Sequence, residues 1–281
     1  MKHRNDRIFR IVGIGCTFVG LLLLGLFLAD IIRQGAGRLS PAFLTNLPSR
    51  FPARAGIFTA LMGSFYIIGL TALLAVPVGI GAGLYLEEYT RKNWLATLVE
   101  INILNLAGIP SIIYGLLGLG LFVQTLHWGS SVLSAAATLA LLVLPTIIVA
   151  TREAIKAVPN AIREGSYGLG ATHWQTVWFQ VLPAAAGGIA TGVILALLRA
   201  VGEAAPLVAI GVLAYVPFAP TSPFDAFSAL PTQIFDWIDR PQAGFRAAAA
   251  AAIIILLLVT FLLNGIAIYL RSRWQRQNQR R

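Results

Sequence analysis

The chain is 281 residues long, 57% hydrophobic and only 11% charged, with a mean hydropathy of +0.78, which is more apolar surface than one soluble core can hide. A single cysteine, Cys16, and three scattered histidines, His3, His127 and His173, rule out a disulfide framework and a metal site. The net charge of +10 would suggest nucleic acid in a soluble protein, but here the arginines crowd the ends of apolar spans, a pattern of membrane topology that gives nucleic acid no role.

A spanning helix needs about 20 apolar residues, and the chain offers that length six times, so the fold class is all-α integral membrane. The first span runs from about Ile8 to Ile32. Its apolar run exceeds the ~7 to 15 residues of a secretory signal and no small-x-small cleavage site clearly follows, so it reads as a retained helix. The second span lies within Ala55 to Leu86, and its "PVGIGAG", Pro77 to Gly83, reads as a surface for close helix packing. Ile101 to Thr151 carries no charge apart from His127 and holds spans three and four, with "HWGSS" as the turn between them. In span three Pro110 lacks a backbone donor and disfavours helical geometry at Ile109, which predicts a kink or break. A break would expose amides near Ser111 that attract an anion in a membrane cavity. Alternatively, Gly108, Gly115, Gly118 and Gly120 simply permit close packing.

Between spans four and five lies "TREAIKAVPNAIREGSYGLGATHWQTVWFQVLP", Thr151 to Pro183, far longer than a connection needs. Asn160 is a good helix N-cap, Gly170 a good C-terminal stop, and Thr172 with Gln175 three residues on forms a capping box. The segment therefore reads as helix, glycine turn, helix. By itself it could equally be an amphipathic helix resting on the bilayer. Glu164, Gly170, Leu182 and Pro183, however, stand at the spacing of the loop motif of inner-membrane permeases of ATP-binding-cassette importers, which the chain resembles. Gly165 and Ser166 replace the two alanines of that motif, and Gln180 replaces its usual isoleucine. The resemblance implies that this cytoplasmic loop contains the coupling helix that docks on an ATPase subunit.

The fifth span covers about Ala184 to Leu213 and contains "LALLRAVGEAAPL". Arg199 thus stands near the centre of an apolar span, where a cation costs about 2.5 to 3.5 kcal/mol. Glu203, at i+4, can pair with it on one helix face. That pair either neutralises itself as a structural element, or leaves the guanidinium fork open to phosphate oxygens along a water-filled path. Tyr215 to Arg246 is rich in proline and aromatics, with Trp237 and several phenylalanines suited to the membrane interface, and reads as a lid or a docking surface outside. The sixth span covers about Ala247 to Leu270, and the cationic tail that follows faces anionic lipid. Fourteen Lys and Arg residues fall on the side of the termini, including Arg91 and Lys92, against six on the other face. The positive-inside rule places both termini in the cytoplasm.

"LAGIPSIIYGLLGLG", the segment from Glu164 to Leu207 and "LPTQIFDW" are similar to the phosphate-specific permeases of the PstA type. The whole chain, residues 1–281, then forms one transmembrane permease domain, with an importer core of approximately 57–270 behind the first helix. The resemblance implies an inner-membrane protein that acts on phosphate. Its expected partners are a second permease subunit as heterodimer partner, an ATP-binding subunit pair carrying ATP and Mg, and a periplasmic phosphate-binding protein. For the passage of an anion, the candidates along the translocation path are Arg199, Glu203, Ser111 and Pro110, while the resemblance puts Glu164, Gly165, Ser166, Gly170, Leu182 and Pro183 in the ATPase-coupling loop. The chain itself is no enzyme: none of Lys2, Lys92 and Lys156 sits in a phosphate-cradling G-x-x-x-x-G-K-[ST] context. Alternatives are a molybdate or sulfate permease or the sister phosphate permease. An integral membrane enzyme acting on lipid is disfavoured, because its acid, base and metal-binding residues would have to cluster and do not.

Overall fold

The computed structural model describes residues 2–90, 93–212 and 215–278. Arg91 and Lys92, and Leu213 at the expected end of span five, lie outside the described residues. In chain order the helices are α1 (Lys2–Gly35), α2 (Pro41–Thr45), α3 (Phe58–Leu84), α4 (Trp94–Ala107), α5 (Ser111–Gly118) and α6 (Val132–Lys156). They are followed by α7 (Asn160–Gly168), α8 (His173–Thr176), α9 (Leu182–Val201), α10 (Ala205–Ala209), α11 (Leu230–Asp239) and α12 (Ala243–Asn278). Three π-helical stretches extend them: Tyr85–Tyr89 closes α3, Leu119–Thr125 prolongs α5, and Val177–Val181 joins α8 to α9. No strand is present among the described residues beyond one isolated bridge between Ser131 and Ala226.

Five continuous helices are long and apolar enough to span a membrane: Phe9–Arg38, Phe58–Tyr89, Val132–Lys156, His173–Val201 and Ala243–Ile266. The expected third span is a bent pair of helices. Trp94–Ala107 and Ser111–Thr125 meet at 101°, with the break where Pro110 predicts it. The turn before α6 also falls where expected, with His127 and Gly129 at positive φ and the Ser131 hydroxyl capping the Ser134 amide.

α6 is the central helix and packs against both α3 and α9. Lipid offers helices no hydrophobic drive to associate, so close approach through small residues has to hold them together. A Cβ on Gly79 would stand 2.5 Å from the Ile147 side chain, and one on Gly83 2.7 Å from Thr151. On an adjoining strip of the same side of α6, Gly188 and Gly192 leave room for Ala154 and Ala150, with a Cβ on Gly192 only 2.2 Å from that of Ala150. The packing expected of "PVGIGAG" thus holds at Gly79 and Gly83, while Gly81 meets nothing.

Two expectations need correction. Span five ends at Val201 rather than near Leu213, because the ring of Pro206 would collide with the carbonyl of Gly202 four residues earlier if the helix continued. Trp237 is not interfacial. It is 1% exposed in a cluster with Phe43, Ile57 and Phe245, since α11 turns its apolar face onto α12 and α3. Among the phenylalanines of that outer segment, Phe218, Phe224 and Phe235 are exposed, as is Tyr215.

Candidate functional site

The structure sorts the ten expected site residues into two places. The first is the loop between α6 and α9. Its turn is a complete Schellman closure: the Gly170 amide donates to the Tyr167 carbonyl at 2.9 Å and the Ala171 amide to the Ser166 carbonyl at 3.2 Å. Gly170 supplies the φ of +82° that this closure requires. The next helix opens with the expected capping box, in which Thr172 and Gln175 exchange side-chain bonds to each other's amides. Asn160 is not the N-cap. Pro159, in extended backbone geometry, takes that position and Asn160 is the first helical residue.

Glu164, Gly165 and Leu169 are exposed on this turn, Leu169 to 91%. Ser166 sits in the angle between the two helices, its hydroxyl 2.9 Å from that of Thr176. Leu182 packs with Ile155, Val158 and Val181 where α9 leaves the loop, and Pro183 occupies the first turn of α9. Trp174 and Trp178 stack with centroids 5.4 Å apart.

Sequence reasoning missed what this loop is tied to. Arg163 Nη2 lies 2.7 Å from Glu88 Oε1, and the carboxylate side chain is only 7% exposed. The same guanidinium donates to the carbonyls of Val158 and Ile155 at the end of α6. His173 bonds the Glu88 carbonyl at 3.1 Å through Nε2 and Tyr167 at 2.7 Å through Nδ1. One residue earlier, Glu87 pairs with Arg152 at 3.3 Å, and Arg152 also pairs with Glu100 of α4 at 3.1 Å. The signal that could have revealed this was the acidic doublet "EE" closing an apolar span, with Arg152 and Arg163 as cations downstream on the same side.

The second place is the broken span. Pro110 caps α5 with extended geometry and Ser111 is the first helical residue. Amides of a first helical turn have no intrahelical acceptor. The Tyr114 hydroxyl reaches back over the break to donate to the Leu106 carbonyl at 2.8 Å. Its ring packs in one cluster with Ala196 and Ala200, which brings the break beside the end of α9. Gly115 completes the junction, since a Cβ there would stand 2.7 Å from Pro206 and 2.6 Å from Ala209.

Arg199 is at that junction, but it does not occupy the middle of a helix. It lies in the last turn of α9, where the helix dipole favours a cation. Its Nε is 3.4 Å from Glu203 Oε1, and the side chains are 50% and 19% exposed. Glu203 stands past the helix end, its amide bonded to the Ala200 carbonyl. The pair is therefore made across a helix terminus and leaves most of the guanidinium's five N–H donors without a partner among the described residues. Arg199 also lies within electrostatic reach of Tyr114. No hydrogen bond joins Pro110 or Ser111 to Arg199 or Glu203 among the described residues. No group of three or more metal-binding side chains occurs among the described residues either.

Comparison with known proteins identifies the family. Residues 75–276 match the family of binding-protein-dependent transport system inner membrane components. The probable ABC transporter permease protein YqgI of Bacillus subtilis is 35% identical over 223 residues, which cover 76% of this chain and 76% of that protein. The phosphate transport system permease protein PstA 1 of Mycobacterium tuberculosis is 36% identical over 205 residues, 71% of this chain and 64% of its own length. In the crystal structure of a bacterial alginate ABC transporter, one chain superposes with a TM-score of 0.70 over 96% of both chains at 16% identity, a likeness of fold alone.

Proposed function

The chain belongs to the family of binding-protein-dependent transport system inner membrane components, and from that premise we propose that it carries inorganic phosphate across the bacterial inner membrane. It is a multi-pass permease subunit of an ABC transporter and is itself non-catalytic. ATP hydrolysis, with its Mg, falls to partner ATPase subunits. On our reading the full assembly adds a second permease as heterodimer partner, an ATPase pair below and a periplasmic phosphate-binding protein above. Residues 1–281 act as one permease domain whose core is approximately 57–270, with both termini cytoplasmic.

One observation carries the anion assignment: a half-exposed guanidinium, Arg199, at the junction of a broken span and an interrupted helix. Such breaks are tolerated in membranes where they line a cavity, and an open guanidinium fork suits the oxygens of a tetrahedral oxyanion. Similarity to a phosphate transport permease supports phosphate as that oxyanion. Ser111 and the break at Pro110 face the same path, and Glu203 weakens the hold of Arg199 so that the anion can leave. Glu164, Gly165, Ser166, Gly170, Leu182 and Pro183 form the surface that meets the ATPase, with Leu169 at its tip.

A second reading, sulfate or molybdate as cargo, uses the same guanidinium. ATP hydrolysis by the purified complex with its binding protein, measured with phosphate, sulfate and molybdate in turn, separates them. Stimulation by phosphate alone is expected, and stimulation by sulfate or molybdate without phosphate would overturn the assignment.

A further inference from the structure

A loop whose only task was to meet an ATPase would need attachment to α6 and α9, between which it is strung. This loop has a third attachment. The Glu88 carboxylate, nearly enclosed, accepts from Arg163 at 2.7 and 3.3 Å, and the Glu88 carbonyl accepts from His173 at 3.1 Å. Because a carbonyl can only accept, Nε2 of His173 is the donor, and in the neutral ring Nδ1 accepts from the Tyr167 hydroxyl. Tyr89 sets its ring against that of His173 at 4.8 Å. Both halves of the loop, α7 through Arg163 and α8 through His173, are thereby fastened to one residue of α3's closing turn.

The π-helical geometry of Tyr85–Tyr89 serves this arrangement. Wide turns of this kind recur at functional sites, and here two successive carboxylates reach different arginines, Glu87 to Arg152 and Glu88 to Arg163. Arg152 passes the connection to Glu100 of α4, the helix that ends at the break before Pro110. Charged hydrogen bonds at so enclosed a site are stronger than surface pairs.

We propose that Glu88 and His173 are positioning residues of the transport cycle, coupling displacement of the docking loop to α3 and, through Glu87, Arg152 and Glu100, to the broken span. This rests on the reading that the loop docks the ATPase. Neither residue touches substrate; each acts by making loop and span move as one body.

The test uses the whole complex in proteoliposomes and measures phosphate moved per ATP hydrolysed. Glu88→Gln should keep its ATPase subunits and hydrolyse ATP while losing phosphate moved per ATP. Glu88→Asp should fall between it and the wild type. A merely structural role would lower the yield of folded complex and leave the ratio unchanged, so a wild-type ratio in Glu88→Gln overturns the proposal. Should that variant fail to fold, His173→Phe keeps the ring contact and loses both ring hydrogen bonds; a reduced ratio there supports the proposal and a wild-type ratio overturns it. Leu169→Asp probes the docking reading separately and should shed the ATPase subunits. Normal ATPase retention and a normal ratio in Leu169→Asp would remove the docking reading and this proposal with it, whereas a defect there beside a normal Glu88→Gln would remove this proposal alone.

Discussion

Two glycines five residues apart in the docking loop should respond to alanine in opposite directions. Gly170 holds φ at +82° with nothing within 4 Å of a built Cβ, so Gly170→Ala adds no collision and costs only the left-handed backbone strain of an L residue, about 1 to 2 kcal/mol. Gly165 is inside α7, also with open space around it. Gly165→Ala should therefore gain about 0.5 to 1 kcal/mol by removing the helical penalty of glycine. Hydrogen exchange across 160–176 reads both effects. A destabilisation of one to two kcal/mol corresponds to roughly 5- to 30-fold more opening, so amides of the closure, Gly170 and Ala171, should exchange faster by about that factor in Gly170→Ala and more slowly in Gly165→Ala. Equal exchange in the two variants would refute the claim that backbone geometry at Gly170 holds the turn. The functional counterpart is weaker retention of the ATPase by Gly170→Ala, and loss of coupled transport in Gly170→Pro.

Three further outcomes follow from local geometry. Ser111→Asp should block phosphate uptake by placing a negative charge at the break while Ser111→Ala changes it modestly; equal behaviour in two folded variants would return the segment to a packing role. Gly192→Leu, whose Cβ would stand 2.2 Å from that of Ala150, should cost about 1 to 3 kcal/mol of overpacking, visible as a lower midpoint in thermal unfolding in detergent, whereas Gly20→Leu, with nothing within 4 Å, should not. Asp225 accepts from the Thr221 and Ser222 amides and the Thr221 hydroxyl, which hold its carboxyl below the usual carboxylate range. A depressed folded value means that the bonds favour order above the unfolded value of about 3.9 and lose that influence as pH falls through the folded value. Exchange at 221–225 should thus be flat at neutral pH once corrected for intrinsic rates, and protection should drop only under acid.

How much of this was legible depends on the range of the physics involved. Pro110 and Gly170 act on their own backbone, so their effects could be read at the residue itself. The capping box of Thr172 and Gln175 is local for the same reason. Asn160 failed as a cap by one position because Pro159 already has the extended geometry a cap needs. The end of span five was misplaced because apolar length was read through Gly202 and Pro206, although a proline four residues after a carbonyl is itself a stop signal. Glu88 with Arg163, 75 residues apart, and Trp237 in its core needed the folded chain, since neither partner's sequence neighbourhood marks the other. The seam of Gly79 and Gly83 was visible as composition, and only the structure tells that Gly81 between them faces away.

The Arg199–Glu203 pair is where position changes meaning. In mid-helix the pair would explain itself, a cation neutralised one turn away. At the end of α9 the helix dipole already favours the arginine, the contact to Glu203 is a single 3.4 Å approach, and half of the arginine side chain is exposed. A pair kept only for stability gains little from that arrangement, whereas an anion site benefits from donors left open and from a nearby carboxylate that limits affinity. Arg199→Gln should therefore abolish phosphate uptake in an assembled complex, and Arg199→Lys, which keeps the charge but loses the planar fork, should retain part of it. The deciding variant exchanges the two, Arg199→Glu with Glu203→Arg. It preserves the attraction but puts an acid at the helix C-terminus and moves the guanidinium beyond it, so uptake should stay lost while the complex assembles. Full uptake by the exchanged pair would show that neutralisation is all these residues provide, and the anion site would have to be sought elsewhere along the break.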